Sequence, residues 1–224
     1  MPQIIVENVT KTYRVDAVPL DAVRAVSLRI EKGDFISIVG HSGSGKTTLL
    51  SLIGGITRPS SGRVLFEGED IYAAASDRVS EYRSEKIGFM FQFASLLPIL
   101  TVKENLLLPT VFRPIPAGQE AAKAEELLRM VGLSDKINAY PAQLSGGQQR
   151  RVAIARAFMN DPALVLADEP TGDLDEETEG DMMRFFKTMN DAKGVTFIMV
   201  THNTDLARQT KRQLRMSQGA LQTL

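Results

Sequence analysis

Cysteine is absent from this 224-residue chain. That excludes a disulfide framework and any thiolate metal site, and it agrees with a reducing compartment. An excess of either charge is also missing: the formal net charge is −1 and the sequence pI is about 6.2. No nucleic-acid partner is therefore expected, since such surfaces carry a basic face or stripe. Long hydrophobic runs are missing too. Ala163 to Ala167 is typical of the apolar stretches, far short of the ~20 residues that span a bilayer. The opening Met1-Pro2-Gln3-Ile4 has no basic region followed by an apolar run, so no secretory signal is expected. Work at a membrane would require another chain to supply the membrane part.

What remains is an ordinary globular composition, 43% hydrophobic and 24% charged, long enough for one core plus a small subdomain. Ile4–Val9 and Val23–Ile30 alternate or cluster apolar residues as strands do. Phe35–Val39 is a short apolar run between Gly33-Asp34 and Gly40, the pattern of a buried parallel strand. Lys46–Ile53 reads as a helix ended by Gly54-Gly55. Arg63–Phe66 and Lys86–Phe91 read as strands. After Gln92 the pattern turns helical, with Val102–Leu108 and Gln119–Val131 separated by Pro109, Pro114 and Pro116. A further helix is capped by Ser145 and runs to about Met159. Strand–helix alternation resumes with Ala163–Ala167, a helix from about Glu176 to Asn190, and Val195–Val200. Gln213–Met216 and Ala220–Leu224 suggest a hairpin across Gln218-Gly219. The expectation is one α/β unit over 1–224, with a core of 1–92 and 161–224 interrupted by an α-helical subdomain at 93–160.

Gly40-His41-Ser42-Gly43-Ser44-Gly45-Lys46-Thr47-Thr48 satisfies the phosphate-loop pattern G-x-x-x-x-G-K-[ST] between a strand and a helix. Glycines let the backbone wrap phosphate oxygens and aim successive N–H groups at them. The helix N-terminus adds a partial positive charge. Lys46 neutralises β and γ phosphates, and the Thr47 hydroxyl ligates Mg²⁺. His41 fills a variable position and contributes backbone.

Leu164-Val165-Leu166-Ala167-Asp168-Glu169 is an apolar strand ending in two carboxylates. A buried strand delivers them to the C-terminal edge of a parallel sheet, where such folds bind ligands. Asp168 fits the role of holding Mg²⁺ through its water shell. Glu169 can aim at an attacking water and is the candidate general base. They follow Lys46 by 122 residues, counted to Asp168. The acidic stretch Asp173–Asp181 is not a calcium loop, because Thr178 occupies the place of its required glycine.

Leu144-Ser145-Gly146-Gly147-Gln148 reads LSGGQ and continues as Gln149-Arg150-Arg151-Val152-Ala153-Ile154-Ala155-Arg156-Ala157. Ser145 and the N–H groups of Gly146 and Gly147 open a helix, a ready anion site. With these motifs the chain resembles the ATP-binding-cassette (ABC) ATPases over its whole length. The resemblance implies a P-loop NTPase (RecA-like) core with a parallel sheet, an N-terminal antiparallel β region and the inserted helical subdomain. It implies that Ser145, Gly146, Gly147 and Gln148 bind the γ-phosphate of ATP held by the opposite subunit. Gln92, in Phe91-Gln92-Phe93, is similar to the glutamine that touches Mg²⁺ or water and couples to the transport partner. His202, after Val200-Thr201, is similar to the switch histidine on the γ-phosphate, and Tyr13 to the aromatic that stacks on adenine. Asp173-Leu174-Asp175 resembles the loop whose final Asp lies at the dimer interface. The implied cofactors are ATP and Mg²⁺.

Phe91-Gln92-Phe93-Ala94-Ser95-Leu96-Leu97-Pro98, then Leu100-Thr101-Val102-Lys103-Glu104-Asn105, resemble one bacterial branch, as does Asp168 to Asp175. It holds the ATPases of lipoprotein-release, macrolide-efflux, antimicrobial-peptide-resistance and cell-division systems; many members carry Asn at the position of Ala94. The expected function is an exporter-like ATPase subunit that dimerises around ATP and powers a separate transmembrane permease. It would sit peripherally on the cytoplasmic face of the inner membrane. The alternatives are a mechanical or regulatory ABC ATPase that couples to a membrane protein without transport, and a soluble member acting on DNA or ribosomes.

Overall fold

The computed structural model describes residues 2–16, 18–73, 76–113, 116, 118–172 and 174–223. Asp173, Pro114 and Leu224 lie outside the described residues.

Strands β1 (Pro2–Val15) and β2 (Val18–Glu31) form a long hairpin that β4 (Ser61–Phe66) and the short β5 (Glu69–Asp70) extend into a four-stranded antiparallel sheet. The hairpin is longer than the apolar pattern suggested, because its outer half is exposed and carries no alternation to read. A second sheet has six strands in the order β10-β9-β3-β8-β7-β6. These are β3 (Phe35–Val39), β6 (Ile87–Met90), β7 (Leu164–Asp168), β8 (Thr196–Thr201), β9 (Arg212–Ser217) and β10 (Ala220–Thr223). All neighbours are parallel except β10, which pairs antiparallel with β9 across Gln218-Gly219, both at positive φ.

The central strands are buried on both faces, and their alternation assigns each side chain to one of two cores. Val165, Ala167, Phe197 and Met199 point to one side. Leu164, Leu166, Ile198 and Val200 point to the other. On that second side lie α1 (Lys46–Ile53) and the antiparallel sheet, whose Ile4, Val6, Val64 and Phe66 join the same cluster. The first side is covered by α3 (Val102–Phe112), α4 (Gln119–Met130), α5 (Gly146–Ala157) and α6 (Glu176–Lys193). Helix α6 places Met182, Met183, Phe185, Phe186 and Met189 at helical spacing against Phe158 and Phe197.

Some elements fall outside the expected pattern. Helix α2 (Ser76–Lys86) has little apolar content, and α7 (Thr204–Ala207) is a single turn capped by Asn203; the two-residue β5 and the short 3-10 turns at Ser134–Lys136 and Pro141–Gln143 were not expected either. One expected boundary is corrected. Pro109 does not end α3, which continues to Phe112. Contacts from outside hold that last turn: the Pro109 carbonyl accepts Asn160 Nδ2 at 3.0 Å, and Arg113 Nη1 donates to the carbonyls of Glu85 and Asn160. Tertiary fastening offsets the one ladder bond that proline cannot make. Among the described residues, no helix is long and apolar enough to cross a membrane.

Candidate functional site

Four parallel strands end side by side. Val39 pairs with Thr201, Asp168 with Val200, and Met90 with Ala167. The segments that leave these strands therefore collect at one edge: the loop 40–45 after β3, His202 after β8, Glu169 after β7 and Gln92 after β6. A cleft of about 1020 Å³ opens there, at the upper end of the size of ligand sites, roughly 300–1,000 Å³. It is lined by Tyr13, by every residue from Gly40 to Thr48, and by Gln92, Asp168, Glu169 and His202.

The glycine loop is braced from behind by the C-terminal hairpin. Gly219 N–H donates to the Ser44 carbonyl at 3.0 Å. Gly45 has φ +104°, and a Cβ there would lie 2.1 Å from the Ala22 carbonyl oxygen. At Gly40 a Cβ would lie 2.3 Å from the Met216 carbonyl oxygen. Lys46 is buried at the loop's centre and donates to the carbonyls of Gly40 (2.7 Å) and His41 (3.0 Å). The Ser44 hydroxyl is buried with no hydrogen-bond partner. Buried hydroxyls are costly to leave unmet, and this one belongs to a loop of backbone donors at a helix start. The cradle fits a phosphate.

Asp168 is buried, accepts a hydrogen bond from the Thr47 side chain, and is raised above its usual carboxylate range chiefly by that burial, with the nearby Glu169 charge adding. Among the described residues no cluster of three or more His, Cys, Asp or Glu could hold a metal by itself. Thr47 and Asp168 together form a hard-oxygen pair. That suits Mg²⁺, which takes one or two protein oxygens and keeps waters and phosphate oxygens for the rest. Gln92 lines the same cleft, and its carbonyl accepts from Arg150.

Glu169 would face away from Asp168 if β7 simply continued, since successive strand side chains alternate. Instead it adopts φ +47°, a left-handed conformation that costs of order 1 kcal/mol or more for a non-glycine residue. The kink brings its carboxylate to β8. Oε1 lies 3.0 Å from His202 Nδ1, and Oε2 accepts the Thr201 hydroxyl at 3.0 Å. Tyr13 also lines the cleft, with Lys11 Nζ 5.1 Å from its ring centroid.

Other predicted residues stand apart. Ser145 caps α5 by accepting from Gln148 N–H at 3.2 Å, while the Gln148 side chain accepts from Ser145 N–H at 2.9 Å. Neither these two nor Gly146 and Gly147 lines the cleft. Asp175 also lies outside it and caps α6 through Thr178.

Sequence reasoning missed Thr201 and Arg150. Thr201 is a polar residue ending an otherwise apolar strand, which was a visible signal. Arg150 is 5% exposed. It donates to the carbonyls of Phe91, Gln92 and Gly172, tying the start of the helical segment to both catalytic-side loops. The helical period places it with Ala153 and Ile154 on the buried face of α5. Arg156 likewise donates to the carbonyls of Ala94 and Ser95. These arginines are not a solvated face.

A family model described as "ABC transporter" matches residues 23–172. An uncharacterized ABC transporter ATP-binding protein of Thermotoga maritima is 43% identical over 215 residues, covering 96% of this chain and 92% of that protein. The macrolide export ATP-binding/permease protein MacB of Syntrophobacter fumaroxidans is 41% identical over 226 residues; the match takes in 99% of this chain but spans only 31% of that longer protein. Two solved structures of the ATP-binding cassette MJ0796 superpose with a TM-score of 0.92. One is a dimeric post-hydrolysis state bound to ADP and Pi, 40% identical, covering 99% of this chain and 98% of that one. The other, the dimer of a bacterial ABC transporter cassette, is 41% identical, covering 97% and 96%. With the phosphate cradle, the paired carboxylates and the parallel-sheet edge in place, the chain belongs to the ABC transporter family, as an ATP-binding subunit of the MacB/MJ0796 type.

Proposed function

We propose that two copies of this chain bind two ATP molecules head to tail, hydrolyse them, and thereby drive a separate transmembrane permease of the exporter-like kind. The observation that carries this reading is the division of the motifs. One strand edge gathers Lys46, Asp168, Glu169, His202 and Gln92 into one cleft, while residues 145–148 stay outside it at a helix start. A second copy, facing the first, would bring its own Ser145, Gly146, Gly147 and Gln148 to the γ-phosphate, with Asp175 at the interface. The dimeric MJ0796 cassettes support that arrangement.

In each half-site Tyr13 would stack on adenine, and residues 40–48 would wrap the phosphates, with Lys46 on β and γ. Thr47, Asp168 and Gln92 would hold Mg²⁺, which would supply positive charge to neutralise the phosphates. Glu169 takes a proton from water as the water oxygen bonds to the γ-phosphorus, and the bond to the bridging oxygen of ADP breaks. General-base assistance is worth about 10²–10⁴ in rate. His202 holds the γ-phosphate and senses its loss. ATP closes the dimer only to the extent that it binds the closed form better than the open one. In this reading residues 93–160 rotate as a unit and push the permease.

A groove of about 740 Å³ between α2, β6, α3 and α5 supports a permease contact on the cytoplasmic face of the membrane. It begins beside Gln92 and is lined by Phe89, Phe91, Leu108 and Phe112. Phe112 is 78% exposed. A short cytoplasmic helix of the permease would lay its apolar side there.

The test is Glu169→Gln, which should bind ATP, run as a dimer on size exclusion, and turn over at least about a hundredfold more slowly. A monomeric, fully active variant would sink base and dimer together. Lys46→Ala should lose ATP affinity in a direct binding measurement.

A further inference from the structure

We infer that Thr201 is the positioning residue of the general base, and that the two oxygens of Glu169 have different jobs. This rests on the reading of Glu169 as base. The Thr201 side chain is buried, and its hydroxyl is doubly committed. It donates to Glu169 Oε2 at 3.0 Å and accepts the backbone N–H of Asn203 at 3.0 Å. An ionised carboxylate only accepts, and an N–H only donates, so the hydroxyl proton has one place to go. Its rotor is fixed by its two neighbours. The Glu169 main chain is pinned to the same strand, because its N–H donates to the Val200 carbonyl at 3.0 Å. Strand β8 therefore grips Glu169 twice, and holds it in a left-handed conformation that it would not keep unaided.

Oε1 is held differently. Its neighbour is His202 Nδ1, on a side chain that is 77% exposed. The anchored oxygen is Oε2, and the oxygen that can be released toward the cleft is Oε1. Oε1 is thus the atom that takes the proton from water, while Thr201 keeps the carboxylate plane aimed at it. Catalytic groups must be held to within a fraction of an ångström, and a loss of aim costs rate rather than substrate affinity.

The experiment measures Mg·ATP turnover, KM for ATP and ATP binding on the full chain. Thr201→Val keeps the shape and removes the hydroxyl; Thr201→Ser keeps the hydroxyl. Thr201→Val is expected to lower kcat about tenfold or more, with KM and ATP affinity within twofold of the parent. Thr201→Ser should restore most of the rate. In the Glu169→Gln background, Thr201→Val should add no further loss. If Thr201→Val does not fold, Thr201→Ala is judged by the same criteria. Wild-type kcat in the hydroxyl-free variant overturns the proposal. So does an equal additional loss in the Glu169→Gln background, or a serine variant as slow as the valine one. Normal turnover by Glu169→Gln alone would instead remove the base reading itself, and the two failures are thereby distinct.

Discussion

Two helix starts in this molecule are built alike in one respect and opposite in another. Helix α1 begins after Gly45 with no side-chain cap, and helix α5 begins at Ser145 with a reciprocal cap from Gln148. Neither has an acidic residue in its first turn. Helices α2, α3, α4, α6 and α7 all do, with Asp77, Glu104, Glu120, Glu176 and Asp205 among them. Acids near a helix N-terminus answer its partial positive charge. Among the α-helices of the described residues, the two starts that lack them are the two that carry the glycine-containing motifs; in the proposed reading the negative charge there comes from outside the chain. The difference lies in readiness. At α1 the Ser44 hydroxyl is buried and unpartnered, and the loop around it is already shaped for a phosphate. At α5 the Ser145 side chain accepts the Gln148 N–H. In the proposed dimer, that half-site would exchange this cap bond for the partner copy's phosphate.

The same substitution at both places should separate these roles most widely. Gly45→Ala puts a methyl 2.1 Å from the Ala22 carbonyl oxygen at φ +104°. It is expected to destabilise the fold by about 3 kcal/mol or more and to abolish nucleotide binding. Gly146→Ala meets nothing within 4 Å. Its stability should be unchanged or raised, by up to about 1 kcal/mol of helix propensity. Yet in the Glu169→Gln background it should fail to dimerise with ATP, because the methyl stands where the partner's phosphate must meet backbone. Thermal melts and size exclusion read both. A stable Gly146→Ala that dimerises normally would break the contrast.

The contrast also explains what was legible beforehand. Phe35–Val39 and Lys46–Ile53 have the bounds read from the sequence, because a buried strand is uniformly apolar and the P-loop punctuates it with glycine. Helix α2 was invisible. Its sequence is polar, with Val79 and Tyr82 its buried apolar residues, so no stripe marks it. Pro109 misled because the bonds that carry α3 past it come from Asn160 and Arg113. At the site, Lys46, Asp168, Glu169 and His202 were found through motifs. Thr201 was not, because its role depends on the left-handed turn at Glu169 and on strand order, neither of which is local in sequence. Arg150 needed the helix period to show that a charge falls on a buried face.

Gln148→Glu sharpens the comparison at smaller cost to the fold. The S-x-x-E box caps at least as well as S-x-x-Q, and the added acid should stabilise the free chain by about 0.3–1 kcal/mol. The same charge opposes an incoming phosphate. ATP-driven dimerisation in the Glu169→Gln background should weaken by about tenfold, the scale of one unfavourable charge contact in a partly wet interface. A variant with raised stability and undiminished dimerisation would show that the missing acid at α5 has no connection with ATP.

The smallest effect distinguishes the caps by pH. The Glu104 carboxyl is held below its usual range, first by the backbone N–H of Thr101 and then by the Thr101 side chain. Asp175 is held low, first by the backbone N–H of Thr178. A depressed carboxylate contributes stability that is complete above its ordinary value and is lost as pH falls through its depressed one. The box at Ser145 uses an amide oxygen and has no such dependence. As pH falls below the ordinary carboxylate values and through the depressed ones, hydrogen exchange at the backbone amides of Thr101 and Thr178 should quicken while that of Ser145 keeps its protection. Parallel loss at all three would mean that acid loosens the helical segment as a whole. Selective loss at α3 and α6 would mean that the start of α5 depends on no carboxylate of its own chain, the condition that the comparison with α1 requires.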